Sequence, residues 1–339
     1  QQTTVALPKR QWDLIHTPPK SKFRRIKGSA GSGKSFVLCG RAVELAKENK
    51  RVLIVTYNIT LINYLRELCD RFHSNAQNYI EFIHFHEWMS KTFAFLGISI
   101  KYPKFEDQEE KTKNYLEIEL PNQLIQALEK SSFVEKYDAI LVDEGQDFNR
   151  QWWNTLQQSL TENGEMLLVA DTAQDIYIRQ LNSWIDDPMK NLGMANRWTE
   201  LDDSFRIPNN VKPLLNKFQK EFFESKNINL IVSKQDDLMD CQVKWIDVDL
   251  DSSIQQCIEE LLLLVKEDQN QKRSFTDLTF LTDNQSVGLK VVDKLRAADK
   301  SLKVADTFKR NEKDRNQKIR KIAFTKLNAT VKATTIHSF

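Results

Sequence analysis

Residues 28–35 combine glycine, serine and lysine at a spacing that suits phosphate binding, and they hold three of the nine glycines in the chain. The run reads Gly28, Ser29, Ala30, Gly31, Ser32, Gly33, Lys34 and Ser35. The pattern Gly-x-x-x-x-Gly-Lys-Ser predicts a loop whose backbone N–H groups point inward around an anion. In such a loop Lys34 would reach the β- and γ-phosphates, and the Ser35 hydroxyl would be a ligand of Mg²⁺. The sequence therefore predicts a nucleotide site formed by all eight residues.

Two adjacent carboxylates, Asp143 and Glu144, follow the apolar run 137–142. Ligands of parallel sheets gather at the carboxyl ends of the strands, so both side chains are expected to face the phosphate loop. Asp143 could hold Mg²⁺ through water, because this cation keeps part of its hydration shell. Glu144 could activate a water molecule for attack on the γ-phosphate. The alternative is an acidic turn with no chemical role after a core strand.

These groups meet only if strands and helices alternate along the chain. Short apolar runs predict strands at 23–26, 52–57, 139–142 and 166–170, and helical patterns occupy 34–48, 60–72, 149–160 and 210–224. Such alternation favours a parallel sheet with helices on both faces. The stretch 97–130, polar and acidic at first and helical from Pro121, is interpreted as a small insertion between two strands. Strand patterns at 277–282 and 331–336, with helices at 252–266 and 284–297, predict a second α/β unit.

The composition is that of an ordinary globular protein, with 40% apolar and 28% charged residues among 339. The sequence contains no apolar run long enough to span a bilayer, and the four cysteines are too scattered to indicate a disulfide framework or a zinc site. We therefore expect a cytoplasmic protein without a membrane partner. The net charge of +2 is uninformative, but ten Lys and Arg residues fall within 300–326. A run of this kind is either a solvated face or a phosphate-binding surface.

Seven segments, in order, resemble the motifs of the UvrD-like branch of superfamily 1 helicases. They are Gln11, 55–58 (motif Ia), 84–86, 143–147 (motif II), 170–177 (motif III), 204–206 (motif IV) and 334–339 (the opening of motif V). The resemblance implies a RecA-like P-loop sheet in a first domain, 1–235, and a second, incomplete RecA-like domain, 236–339. The chain would then be truncated within motif V, and further domains, including a nuclease, could lie beyond either end.

The resemblance also assigns roles to residues outside the phosphate loop. Gln11 and Phe205 would contact adenine, and Arg206 would act on the phosphates as an arginine finger. Gln174 would sense the γ-phosphate and would be catalytic together with Lys34, Glu144 and Arg206. The residues implied to contact single-stranded DNA are Thr56, Asn58, His84, Phe85, Tyr177 and Arg179.

Three positions depart from the pattern of the family, one of them Phe205, where relatives usually carry tyrosine. Arg179 stands near a place where relatives carry a base-stacking tryptophan, which makes stepping by an aromatic wedge doubtful. Gly145 occupies a position where the family more often has alanine.

The implied function is ATP-dependent 3′→5′ movement along single-stranded or tailed duplex DNA, with ATP and Mg²⁺ as cofactors. RNA stays open as a substrate, and the oligomeric state is not readable from the sequence. An ATP-binding switch or ATPase scaffold that regulates a partner without unwinding is the alternative function. These two functions differ in whether single-stranded DNA stimulates ATP hydrolysis.

Overall fold

The structure is a computed structural model. It describes residues 8–100, 109–131, 133–171, 198–201, 203–205, 208–222, 232–233, 242–249, 251–271, 278–311, 313–314, 316–323 and 329–335. The chain separates into two compact units. The first comprises Gln1–Tyr57 and Leu65–Gln242, and the second comprises Asn58–Tyr64 and Val243–Phe339. The domain boundary at 235/236 lies outside the described residues and stays a prediction.

A six-stranded parallel sheet forms the centre of the first unit. Its strands are β1 (Phe23–Gly28), β2 (Val52–Thr56), β3 (Ile80–His84), β4 (Tyr137–Val142), β5 (Leu160–Ala170) and β6 (Thr199–Leu201). They lie in the order β3-β2-β4-β5-β1-β6. The predicted α/β fold with a P-loop sheet is therefore confirmed.

Helices connect these strands. They are α1 (Lys9–His16), α2 (Lys34–Lys47), α3 (Leu61–Phe72), α4 (Phe85–Phe95), α5 (Glu109–Asn114), α6 (Leu120–Lys130), α7 (Arg150–Gln157) and α8 (Lys212–Phe222). A single π turn, Tyr115–Glu119, joins α5 to α6. A short strand pair, β7 (Asp203–Ser204) with β8 (Val232–Ser233), is also parallel.

The strand order brings the two predicted chemical features together. β5 lies between β1, which leads into the phosphate loop, and β4, which leads into Asp143. Because neighbouring strands are about 4.8 Å apart, the carboxyl ends of β1 and β4 are separated by roughly 10 Å, the span of a phosphate group with its metal ion. The residue that follows β5 therefore lies between the loop and the acidic pair.

An aromatic core holds this edge of the sheet in place. Phe85, Phe148, Trp152 and Trp153 are fully buried in one cluster. The Phe85 and Trp152 rings stack with centroids 4.5 Å apart. Large aromatic rings bury more apolar area per residue than other side chains do. The segments that carry these rings are therefore firmly positioned.

The second unit has a smaller parallel sheet. It contains β9 (Leu278–Thr282), β10 (Val304–Asp306) and β11 (Val331–Thr335) in the order β10-β11-β9. The helices of this unit are α9 (Ser253–Gln271), α10 (Gln285–Ala298) and α11 (Gln317–Ala323). Its larger buried cluster includes Ile258, Val291, Leu295 and Val331, and Phe308 is fully buried in a smaller one.

Three sequence-based predictions need correction. The helix predicted at 149–160 ends at Gln157, because Leu160 already pairs with Tyr137 and begins β5. The stretch predicted to become helical only from residue 121 is helical from Glu109. Leucines recur there at every fourth residue, and three of them, Leu120, Leu124 and Leu128, are buried in the first core. The third correction adds β3 and α4, which the sequence analysis did not predict.

Within the described ranges, no helix combines the length and the apolar character needed to cross a membrane.

Candidate nucleotide site

The phosphate loop has the backbone conformation that its glycines predict. Gly31 and Gly33 have φ of 79° and 88°, in the left-handed region that side chains with a Cβ rarely adopt. Gly33 also caps α2, and its carbonyl accepts the N–H of Val37 at 2.9 Å. A Cβ on Gly28 would lie 2.8 Å from the carbonyl oxygen of Leu201, so the loop fits closely against β6. Because the first N–H groups of a helix have no partner within it, those at the start of α2 could bind an anion held by the loop.

Lys34 is buried and is held by three oxygens. Its Nζ donates to the carbonyl oxygens of Gly28 at 2.7 Å and Ser29 at 2.9 Å. The carboxylate of Asp171, which directly follows β5, lies 3.6 Å away. The ammonium group is thus kept at the mouth of the loop, where phosphate oxygens could replace the two carbonyls.

The acidic strand end reaches the loop directly. The Ser35 hydroxyl donates to Oδ2 of Asp143 at 3.0 Å, across 108 residues of sequence. The other carboxylate oxygen of Asp143 accepts the N–H of Glu144 at 3.1 Å. Burial, and next the negative charge of Glu144, raise the pKa of Asp143 to about 7. A cation bound nearby would stabilise the charged form of this carboxylate.

This donor set fits a magnesium ion. Ser35 and Asp143 offer a hydroxyl and a carboxylate oxygen, which are the hard ligands that Mg²⁺ prefers, and the ion would keep water in its remaining positions. The Ser32 hydroxyl, also in the loop, is buried and has no hydrogen-bond partner among the described residues. The Ser32 hydroxyl could therefore hydrogen-bond a phosphate oxygen in the loop.

Glu144 is fixed in an unusual backbone conformation. Its φ of 53° and ψ of 49° lie in the left-handed region, which costs a glutamate of the order of 1 kcal/mol. Oε2 of Glu144 accepts a hydrogen bond from the Gln146 amide at 2.6 Å. Oε1 of Gln146 in turn accepts the N–H of Asp171 at 2.9 Å. Gln146 thereby connects the end of β4 to the end of β5 and orients the carboxylate.

Gly145 has a packing reason to differ from the alanine that is usual in the family it resembles. A Cβ at this position would lie 2.8 Å from Cγ of Leu168 and 3.1 Å from the carbonyl oxygen of Val169. The Leu168 side chain is fully buried and cannot move easily. The glycine thus accommodates a large residue on the neighbouring strand.

Gln11 and Phe205 both contact the loop. The buried amide of Gln11 donates to the carbonyl oxygen of Ser32 at 2.9 Å, and a Cβ on Gly33 would meet this amide. The backbone N–H of Phe205 donates to the carbonyl oxygen of Gly31 at 2.9 Å. Their places beside the loop are thus described, whereas their contacts with adenine stay a prediction.

The described residues implied to contact DNA lie at or just beyond the ends of β2 and β3. Thr56 lies opposite His84 in the register of these strands. Thr56 and Phe85 are fully buried, so the Phe85 ring supports the strand end from inside the core. His84 is partly exposed beside Glu87, with Nε2 3.9 Å from Oε2 of the glutamate. Asn58 is partly exposed, and its side chain accepts the N–H of Thr60 at 3.0 Å in a local turn.

Four of the implied site residues, Gln174, Tyr177, Arg179 and Arg206, lie outside the described residues. Their roles stay predictions.

Sequence reasoning missed the structural roles of Asp171 and Gln146. Asp171 follows an apolar strand as Asp143 does, so the strand-end rule that found Asp143 would also have found it. The role of Gln146 depends on one hydrogen bond to each neighbouring strand end, which no local pattern indicates.

A comparison with protein families matches residues 11–180, just over half of the chain, to a family described as AAA domain. This match covers the phosphate loop, the acidic pair and Asp171. A search of curated proteins finds no match. The chain therefore belongs to the AAA domain family and carries a P-loop NTPase domain, the type of domain that binds and hydrolyses nucleotides.

Proposed function

We propose that this protein hydrolyses ATP in order to move along single-stranded DNA in the 3′→5′ direction. The single observation that carries the hydrolytic part is the 3.0 Å hydrogen bond between Ser35 and Asp143. It joins the phosphate loop to the acidic strand end, so that one nucleotide could contact both. Support for DNA as the track comes from the order of the motifs and from the P-loop family, whose domains occur in UvrD- and Rep-like helicases.

The chain supplies the groups that phosphoryl transfer to water requires. Backbone N–H groups of the loop would hold the β- and γ-phosphates of the substrate, and Lys34 would exchange its two loop carbonyls for phosphate oxygens. Ser35 and Asp143 would hold Mg²⁺, which neutralises charge on the phosphates when bound. Glu144 would accept a proton from the attacking water, since Gln146 holds its carboxylate in one orientation.

A physical route exists for coupling the nucleotide site to the DNA site. Gln146 hydrogen-bonds Glu144 and the backbone of Asp171, and Asp171 also pairs with Lys34. Asp171 leads into the segment that contains Gln174 and Tyr177. A change at the γ-phosphate would therefore alter the contacts of the residue from which that segment starts. The Phe85 core carries the nearby ends of β2 and β3 as one rigid edge.

A second candidate function is a nucleotide-operated switch that regulates a partner without unwinding. It is favoured by the charge pairing within the basic stretch 300–326. Arg310 pairs with Asp306 at 2.7 Å and with Asp293 at 3.3 Å, and Arg320 pairs with Asp314. These arginines already have acidic partners in their own unit, which reduces the positive charge available for a phosphate backbone.

The decisive experiment measures ATP hydrolysis with and without oligothymidine, at several salt concentrations. The proposal expects several-fold stimulation that declines as salt rises. Lys34→Ala should abolish nucleotide binding and hydrolysis, whereas Lys47→Ala, at the exposed end of the same helix, should leave both intact. Hydrolysis that is equal with and without DNA would favour the switch. Full activity in Lys34→Ala would contradict the nucleotide site itself.

A further inference from the structure

A basic groove lies at the opposite end of the first sheet from the nucleotide site. It is a cavity of about 520 Å³ around the beginnings of β2, β3 and β4. Its charged lining residues are Arg51, Arg66, Lys91 and Glu81. With Glu135, which pairs with Arg51, three cations stand against two carboxylates, so the groove keeps a small net positive charge. Since the nucleotide residues follow the carboxyl ends of the strands, the two sites are about one strand length apart, roughly 17 Å.

The groove includes the first three residues of β3, Ile80–Phe82, and β3 is the last strand on its side of the sheet. Within the described strands, β3 pairs only with β2. In a parallel sheet, alternate residues of an edge strand direct their N–H and C=O groups away from the partner strand. This edge therefore offers main-chain donors and acceptors beside a positively charged cavity.

The cations lie on both faces of this edge strand. Glu81 and Ile83 share one face because strand side chains alternate, and Ile83 is part of the aromatic core. On that face Lys91 lies 3.3 Å from Glu81, and the Tyr137 hydroxyl donates to Glu81 at 2.8 Å. The Arg51 guanidinium lies 5.2 Å from the centre of the Tyr137 ring.

Arg66 occupies the other face of the strand. Its guanidinium lies 5.3 Å from the centre of the ring of Phe82, whose side chain points away from Glu81. A chain added to the β3 edge would thus meet Arg66 with one side chain and Lys91 or Arg51 with the next.

We propose that the edge of β3 binds an extended acidic peptide, which adds a strand to the sheet and directs carboxylates of successive residues to the cations on its two faces. Strand addition explains why main-chain groups and charges coincide here, because backbone hydrogen bonds supply affinity and alternating side chains supply specificity. Arginine held over an aromatic ring is pre-organised for carboxylates.

A peptide fits this groove better than a nucleic acid does. Glu81 lies within the groove, and Glu135 pairs with Arg51 at 2.7 Å. These carboxylates would repel a continuous chain of phosphates, whereas a peptide can place isolated carboxylates beside the cations and neutral residues beside Glu81.

The test uses a labelled peptide of about eight residues, a common strand length, with glutamates on both faces of the extended chain and none at its centre. Binding is measured by fluorescence anisotropy, and hydrogen exchange follows the backbone amides of Ile80–His84. We expect the peptide to bind and to protect these amides. The double variant Arg66→Glu/Lys91→Glu should weaken binding about tenfold or more. Lys130→Glu, a charge reversal at the exposed end of α6, should not change it.

Two further probes distinguish strand addition from simple charge attraction. A peptide of the same charge with a central proline lacks an amide donor and should bind about tenfold more weakly. Oligothymidine of similar charge should neither protect the amides of Ile80–Phe82, which lie at the end of β3 away from His84, nor displace the peptide. If the proline peptide binds equally well, if oligothymidine occupies the groove, or if the first peptide does not bind, the proposal is wrong. Arg66→Gln repeats the measurement with less disturbance of the fold, and amide exchange in the unbound variant shows whether β3 is intact.

Discussion

Two buried aspartates, one in each unit, occupy similar places and have different surroundings. Asp143 follows β4 in the first sheet and Asp306 ends β10 in the second, and they are 1% and 4% exposed. Asp306 is paired with Arg296 at 2.9 Å and with Arg310 at 2.7 Å. The described hydrogen-bond partners of Asp143 are a serine hydroxyl and a backbone N–H, and its neighbour in the chain, Glu144, is another acid.

The difference separates a carboxylate that is part of an ion-pair network from one whose surroundings suit a cation. A buried charge with charged partners avoids the large free-energy cost of an unpaired buried charge, and this is its main contribution to stability. Burial raises the pKa of a carboxyl whose hydrogen-bond partners are neutral, and a bound cation would stabilise its charged form. Asp143 therefore has the environment expected of a metal ligand, and Asp306 has that of a fixed ion pair.

The largest effect is expected for Glu144→Gln at the acidic strand end. Removal of the general base should lower the rate of ATP hydrolysis by about 100-fold or more. ATP binding should remain, since glutamine keeps the shape of the side chain and the loop is untouched. Phosphate release and binding of a fluorescent ATP analogue give the two readings. Unchanged turnover would exclude Glu144 as the base.

A smaller effect is expected for Asp306→Asn in the second unit. Loss of the charge that joins two arginines should lower the free energy of unfolding of that unit by about 2 kcal/mol. Amide exchange in Val331–Thr335, which pairs with β10, measures this local stability without requiring the two units to unfold together. Exchange as slow as in the unchanged protein would show that the ion pairs contribute little.

In contrast to Asp306→Asn, the substitution Asp143→Asn is expected to raise the free energy of unfolding at high pH. A carboxyl group whose pKa in the folded protein, about 7, exceeds its ordinary value of 3.8 stabilises the fold at low pH, and this contribution is lost as pH rises through 7. Without magnesium, the variant should therefore be more stable than the unchanged protein at pH 8 and equal to it near pH 4. Thermal unfolding at both pH values measures the difference.

Addition of magnesium supplies the control for this prediction. It should stabilise the unchanged protein at pH 8 and have less effect on Asp143→Asn, because the variant lacks the carboxylate ligand. A variant that loses stability at pH 8 would contradict the assignment of Asp143 as an uncompensated charge.

The smallest effect is expected for Arg310→Gln. Asp306 keeps Arg296, and the Arg310 side chain is 37% exposed, so the loss should be about 0.5 kcal/mol. The same exchange measurement as for Asp306→Asn gives the comparison. A loss as large as that of Asp306→Asn would mean that Arg310 alone stabilises the aspartate.

The sequence predicted the nucleotide site because its main parts are local. Gly28, Gly33, Lys34 and Ser35 act through one loop and one helix start, and their spacing alone fixes this geometry. Asp143 was found for a similar reason, since it directly follows a plainly apolar strand.

Features that depend on partners distant in sequence were not predictable in this way. The strand β3 has five residues, too few for an alternating pattern to be distinctive. The link from Gln146 to Asp171 exists only because β4 and β5 are neighbours. By sequence, the charge run 300–326 is either a solvated face or a phosphate-binding surface, and the pairing of Arg310 with Asp293, 17 residues away, depends on the fold.

The close fit between Gly145 and Leu168 constrains how this acidic motif can change during evolution. Alanine at position 145 would collide with the leucine on β5 unless that residue were first replaced by a smaller one. The two positions are therefore epistatic: alanine at position 145 costs more free energy of unfolding while Leu168 is present than after a smaller residue has replaced it. A lineage that acquired Leu168 would favour glycine beside Glu144 for as long as the leucine stayed.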